Sequence, residues 1–241
     1  LFSQSLIFLT QAQNRTLTIG PVIGSVTNTT ARILAEFDFE GNVTCVLRSS
    51  ANETFNVTTN VIAREPVIFR FFNLTGTTYY NVSFEPNITN QISSYFRTLD
   101  YSAPGSIKFG LVSCNEYTVL LAKQPQADLW ADLSRRIDEY QLNYLLHIGD
   151  QVYLDMAFGD GDNTSDDGDA SDDYYNSTKP YPVIMNILYS TPQDQWQNRT
   201  DEMLNIIRDE YRKTWGFPSV KAVLAKIPNI MMFDDHEIRD D

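Results

Sequence analysis

The sequence predicts two units of different class, an all-β sandwich over residues 1–100 and an α/β unit over residues 107–241. Seven short segments between residues 17 and 98 are rich in Val, Ile, Thr, Phe and Tyr, and Asn, Gly and Pro separate them at roughly ten-residue spacing, the pattern of a sandwich. The composition then shifts to a short Ser/Pro/Gly linker at 101–106. Beyond it, apolar strand patterns alternate with helical ones, which implies a parallel sheet covered by helices. A chain of 241 residues, 42% hydrophobic and 12% aromatic, has the length for one or two domains and the apolar content for a core.

The β segments read in order as TLTIGPVIGSV, ARILAEF, TCVLRS, TFNVTTNVIA, VIFRFF, TYYNVSF and QISSYFRT. Their number and turn spacing suggest an immunoglobulin or fibronectin type III sandwich. This stretch holds no His and few paired carboxylates, so chemistry is not expected in it. Ahead of it, Leu1 to Thr10 is mostly apolar without a basic flank. It reads either as the tail of a signal peptide ending near Gln11 to Gln13 or as a mature strand. A free apolar strand can add to a neighbour's sheet edge, so self-association through it is one expectation.

In the α/β unit, IKFGLVS from Ile107 to Ser113 reads as a strand. Residues 127–140 follow with Leu129, Leu133, Ile137 and Tyr140 at helical spacing, and LNYLLHI from Leu142 to Ile148 is a second strand. Residues 155–173 contain eight Asp and no Lys or Arg, and are expected to be a solvated acidic loop. Asp160, Asp162 and Thr164 alternate as in an EF-hand, but Ser165 and Ser171 stand where that loop needs Gly and Glu. Residues 201–215 place acids first and bases later, which suits a helix dipole. Pro218 opens another helix running to Lys226, and Asn229 to Phe233 is a last strand.

Charge and sequons bound the functional class. With 18 basic and 31 acidic residues the net charge is −13, which disfavours a nucleic-acid binder with a basic face. No apolar run is long enough to span a membrane. Eleven of 18 Asn open an Asn-x-Ser/Thr triplet: Asn14, Asn28, Asn42, Asn52, Asn56, Asn73, Asn81, Asn87, Asn163, Asn176 and Asn198. With 38 Ser and Thr in the chain, chance placement gives about three such triplets, and these sites accept glycans only in the secretory route. A secreted or cell-surface N-glycoprotein is expected. The two cysteines, Cys45 and Cys114, fall in different units. A bridge between them would consume a thiol that sits among candidate ligands.

Those candidates lie at the carboxyl ends of the three apolar strands, where open α/β sheets place ligands. They are Val112-Ser113-Cys114-Asn115, Gly149-Asp150-Gln151-Val152-Tyr153 and Asp234-Asp235-His236-Glu237. Taken singly, Cys114 and Tyr153 are ordinary core residues, Asp150 a cap, and the last group a surface turn. His147 is read as structural, because it lies within a strand rather than at its end. Converging on one edge, these residues offer soft and hard donors together, a set suited to iron with a second divalent ion.

LLHIGDQVYLD, FGLVSCNEY and YRKTW…VKAVLAKIPNIMMFDDHEIRDD resemble the PhoD-like (alkaline phosphatase D) branch of the metallophosphoesterases, in which a fibronectin-like domain precedes a calcineurin-like catalytic domain. The resemblance implies a phosphoester substrate and a site of iron plus a second metal, often calcium. It implies Cys114 as thiolate ligand, Asp150 as the bridge, Tyr153 as phenolate ligand and Asp235 on the second metal. His236 would stabilise the phosphate or protonate the leaving oxygen. Two metals about 3.5–4 Å apart can clamp phosphoryl oxygens and supply hydroxide near neutral pH. The family also uses later ligands, typically a terminal His-x-His motif, and this sequence has only two His and none beyond His236. The catalytic domain therefore reads as incomplete and inactive as it stands. The alternative expectation is a non-catalytic scaffold, coat or filament glycoprotein that keeps the fold; a calcium-dependent adhesion module is a weaker third.

Overall fold

The computed structural model describes residues 14–99, 107–116, 128–155 and 179–238. The terminal segment Leu1 to Thr10, the linker at 101–106, the acidic segment beyond Asp155 and the sequons at Asn163 and Asn176 lie outside the described residues.

The first seven strands are β1 (Leu17–Val26), β2 (Ala31–Phe37), β3 (Gly41–Ser49), β4 (Thr54–Val61), β5 (Pro66–Phe71), β6 (Tyr79–Glu85) and β7 (Tyr95–Arg97). They pair as two antiparallel sheets, β1-β2-β5 and β4-β3-β6-β7. Alternation along β2 and β6 sends Ile33, Ala35, Phe37, Tyr80, Val82 and Phe84 into one core. Aromatic rings fill its middle: Phe37 meets Phe84 edge-on at 5.4 Å, and Tyr80 stacks on Phe96 at 5.5 Å. The Tyr80 hydroxyl accepts from the Thr75 backbone N–H at 2.8 Å, so this buried phenol is satisfied. Cys45 is fully buried in that core and Cys114 is exposed elsewhere; both are free thiols. The bridge between them is thus not formed, and burial pushes the Cys45 thiol far above its ordinary pKa.

The second half contains β8 (Phe109–Val112), α1 (Leu129–Tyr140), β9 (Tyr144–His147), α2 (Pro180–Ser190), α3 (Thr200–Gly216), α4 (Pro218–Leu224) and β10 (Asn229–Met231). The last three strands form a parallel sheet in the order β10-β9-β8. Asp128 caps α1 by accepting from Ala131 N–H at 3.0 Å, and Gln141 ends it in a left-handed conformation. Helix α2 has no counterpart in the expectations, since PYPVIMNILYS is apolar but for Asn186 and Ser190 and shows little helical period.

The halves share a second core. Strand β1 is buried on both faces: Leu17, Ile23 and Val26 enter the sandwich, while Ile19 and Val22 pack with Trp130, Leu145, Val220 and Leu224. Irregular register with β2 allows this double use. At the irregularity Gly20 has φ 96°, and a Cβ there would lie 2.8 Å from the Leu34 carbonyl oxygen. Polar links cross the same seam: Asn229 Nδ2 donates to Ile23 O at 3.0 Å and Ser94 Oγ to Ala225 O at 2.8 Å.

The strongest link is ionic. Glu36, 0% exposed, receives Arg212 from α3 in a two-pronged bond, Nε to Oε1 at 2.6 Å and Nη2 to Oε2 at 3.0 Å. Thr18 Oγ1 also donates to Glu36, and Arg212 Nη2 donates to Arg64 O at 2.7 Å. Among the described residues, nothing covers the opposite face of the parallel sheet. Phe109, Leu111, Ile148, Ile230 and Met232 are exposed there among the described residues, although parallel sheets are generally covered on both faces.

Breaking one partner of a buried ion pair strands the other charge. Arg212→Met is expected to cost about 3–5 kcal/mol in urea unfolding, and Glu36→Leu with Arg212→Met to recover most of that. Equal losses in the single and double variants would show that the pair does not bind the two halves.

Candidate metal centre

All three motifs stand at the carboxyl edge of the parallel sheet. Cys114 follows β8, Asp150 follows β9, and Asp235 and His236 form a 3-10 turn after β10. Cys114 and Asp150 leave their strands in the left-handed region, at φ 57° and 54°. Such backbone costs roughly 1–3 kcal/mol for residues other than Gly and collects at functional sites. It turns both side chains off the strand ends toward each other.

Asp150 is the hub. Its Oδ2 accepts from the Tyr153 hydroxyl at 3.3 Å and from the Cys114 thiol at 3.4 Å. Its Oδ1 is buried with no hydrogen-bond partner among the described residues. Ligand atoms of Asp150, Asp235 and His236 all lie within 4.8 Å of one another. A buried carboxylate oxygen without a partner is costly, and a cation removes that cost. The donor set of three carboxylate or imidazole groups with a thiol and a phenol alongside fits a metal site.

The three loops are tied to one another by neutral and acidic groups around the hub. Asn115 N–H donates to Asp150 O at 2.8 Å, and Trp130 Nε1 donates to Asn115 Oδ1 at 2.9 Å. The buried Glu237 carboxylate accepts from Asp234 N–H at 2.8 Å and also from Gln151 N–H. Asp234 in turn accepts from Asp235 N–H at 3.1 Å, and its side chain also takes the Glu237 backbone N–H, which completes a capping box. Gly149 passes under this turn with φ 121°, and a Cβ there would lie 2.6 Å from Asp234 Cβ.

His236 is fixed on two sides. Its ring stacks on Tyr153 with centroids 4.2 Å apart, and its Nδ1 lies 3.0 Å from Oδ1 of the fully buried Asp155. Burial alone would lower the His236 pKa, but the Asp155 bond and the charges of Asp155, Asp150 and Asp235 raise it above the ordinary value. Burial, with help from Cys114 and Asp150, drives the Tyr153 phenol far up, so it keeps its proton unless a cation reverses the local balance.

All five site residues expected from the sequence, Cys114, Asp150, Tyr153, Asp235 and His236, therefore meet at one place. His147 does not join them: it is buried under Trp130, with Nε2 2.9 Å from Asn229 Oδ1, and burial lowers its pKa. Asn115 and Glu237 lie inside the candidate motifs but had no role assigned from the sequence, and Asp155 was read as the start of a solvated acidic loop. The Asp-x-x-Glu spacing of Asp234 and Glu237 was a readable capping-box signal; Asp155 had none, since only the fold brings it under His236.

The family model described as PhoD-like phosphatase matches residues 109–241. The chain belongs to the PhoD-like phosphatase family. A solved structure of PhoD superposes with a TM-score of 0.60 at 14% identity, over 95% of this chain and 41% of that one. The chain thus spans about two fifths of the PhoD chain it matches. The fn3 domain of human collagen alpha-1(XX) aligns with 40% of this chain and 89% of its own, at 17% identity and a TM-score of 0.29, too loose to carry an argument. A comparison with curated protein sequences gave no match.

Gly149→Ala tests how tightly the turn rests on the hub loop. Gly41 also has positive φ, 126°, but nothing lies within 4 Å of a Cβ there. Gly149→Ala is expected to destabilise by at least ~1 kcal/mol more than Gly41→Ala in chemical denaturation. Equal effects would mean that the Asp234 turn yields freely.

Proposed function

We propose that residues 107–241 supply the first ligand-bearing strands of a metal-dependent phosphoester hydrolase, carried behind a fibronectin type III-like sandwich on a secreted glycoprotein. The unpartnered buried Oδ1 of Asp150 is the observation that carries the metal part of this reading. Cys114, Asp150 and Tyr153 would hold iron, and Asp150 and Asp235 a second ion such as calcium, with Asp150 shared. When bound, such a pair lowers the pKa of water toward neutrality and polarises the phosphoryl group.

The remaining work falls to this chain's own residues. Asp155 holds the His236 ring from the Nδ1 side, which leaves Nε2 to face the phosphate or the leaving oxygen. Stacking on Tyr153 keeps that ring from turning. The capping box and Glu237 keep Asp235 in place while Asp150 is held by the Asn115 loop. The sandwich order β1-β2-β5 against β4-β3-β6-β7 supports the fibronectin-like reading of residues 14–99. No observation among the described residues favours the scaffold alternative.

Asp150→Asn tests the hub. It removes a buried charge crowded by Asp235, so the metal-free protein should be as stable as wild type or slightly more so. It should lose the thermal stabilisation that a saturating metal gives, which is about 2.7 kcal/mol at a hundred times the Kd. Hydrolysis of p-nitrophenyl phosphate esters by protein carrying this site should fall to background. Retained metal stabilisation with unchanged hydrolysis would refute the assignment.

The secretory reading has its own support and test. Of the nine sequon asparagines among the described residues, Asn14, Asn42, Asn52, Asn56, Asn73, Asn81, Asn87 and Asn198 are exposed, and Asn28 is half-buried. Protein made through a eukaryotic secretory route should lose mass on enzymatic removal of N-glycans, with Asn converted to Asp at several of these positions. An unmodified polypeptide of 27.5 kDa before treatment would sink that reading.

A further inference from the structure

Behind the proposed metal ligands lies a buried charged cluster that the mechanism does not use. The Lys179 side chain, 5% exposed, sits between the carboxylates of Glu116 and Glu210, at 5% and 4%. Its ammonium donates to Glu116 Oε1 at 2.9 Å, to Glu210 Oε1 at 3.0 Å and to the Tyr153 backbone carbonyl at 3.2 Å. A lysine ammonium has three N–H donors, and acceptors from three separate segments surround this one. Lys213, half-exposed on α3, adds a contact to Glu210 Oε2 at 3.1 Å.

The three acceptors come from three different pieces of the site. Glu116 lies two residues past Cys114, and its N–H donates to the Cys114 carbonyl at 3.1 Å. Tyr153 closes the loop that begins at Asp150, and Glu210 sits on α3. One ammonium therefore holds the Cys114 loop, the Tyr153 loop and a helix at fixed separation. A buried ammonium of this kind is costly unless every partner is in place, so the cluster resists drift of either loop. Asp235 and His236 touch the Tyr153 loop too but have further anchors of their own in Glu237 and Asp155.

We infer that Lys179 is a positioning residue that sets the spacing between Cys114 and Tyr153, so that thiolate and phenolate reach the same ion beside Asp150. This rests on the metal reading given above. It predicts a selective effect: losing Lys179 should disturb the Cys114–Tyr153 side of Asp150 while the Asp235–His236 side keeps its donors.

Cobalt(II) added to the 241-residue chain separates these possibilities, because a thiolate bound to cobalt absorbs in the near-ultraviolet and oxygen or nitrogen ligands do not. Wild type should show that band. Lys179→Met should lose most of it and bind cobalt 10–100-fold more weakly, the usual effect of removing a group that orients ligands. Lys179→Arg, which keeps a buried cation, should recover part of the band. Should Lys179→Met not fold, Glu116→Leu with Lys179→Met removes both charges of one pair and leaves Glu210 its Lys213 contact, and the same loss of the band is expected. No thiolate band in wild type would overturn the metal assignment itself. A wild-type band that is equally intense and equally tight in the folded variants would overturn the role of Lys179 alone.

Discussion

The constraint on which this structure turns is the crowding of negative charge at one edge of a three-stranded sheet. Asp150, Asp155, Asp234, Asp235 and Glu237 occupy the segments that follow two neighbouring strands, β9 and β10, in a chain whose net charge is already −13. Hydrogen bonds satisfy most of them. Glu237 takes backbone N–H groups, Asp155 takes His236, and Asp234 caps its own turn. Asp150 is the exception, since one of its oxygens is buried without a partner among the described residues. Gathered acids with a buried carboxylate oxygen unsatisfied among the described residues offer a cation a place.

The sheet makes that gathering feasible. Three parallel strands bring the chain to the same edge three times, and Cys114, Asp150 and Asp235 stand two, three and four residues past the strand ends. Left-handed backbone at Cys114 and Asp150, and positive φ at Gly149, bend these exits sharply. The strain is tolerable because each exit is held elsewhere: β8 and β10 both pair with β9, and the three loops are cross-bonded through Asn115 and Glu237.

Much of this was legible in the sequence, and the reasons differ by element. The seven β segments carried alternation and turn residues, both local signals, and the structure places a strand in each. The parallel strands were readable as apolar runs, and their ends marked the metal motifs. Helix α2 was not readable, because apart from Asn186 and Ser190 its side chains are apolar and periodicity is weak. The double burial of β1 was equally hidden. A strand packed on both faces reads as a plain apolar run, and nothing in LTIGPVIGSV tells which residues leave the sandwich core. Lys179 and Asp155 escaped for another reason: a charged residue next to an acid-rich stretch looks like solvated surface until the fold buries it.

Helix α3 shows why the β domain matters to the site. Glu210 and Arg212 are two residues apart, so they point to roughly opposite sides of the helix. Arg212 grips Glu36 of β2 in the sandwich, and Glu210 grips Lys179 beneath Tyr153. The position of α3 is therefore set from one side by the sandwich and read from the other by the loops that carry Cys114 and Tyr153. Moving the sandwich relative to α3 would pull on Glu210 and, through Lys179, on both loops at once. The β domain is thus part of the frame that holds the Cys114 and Tyr153 loops rather than an appendage. The buried ion pair at the seam and the buried cluster at the site are two ends of one mechanical connection.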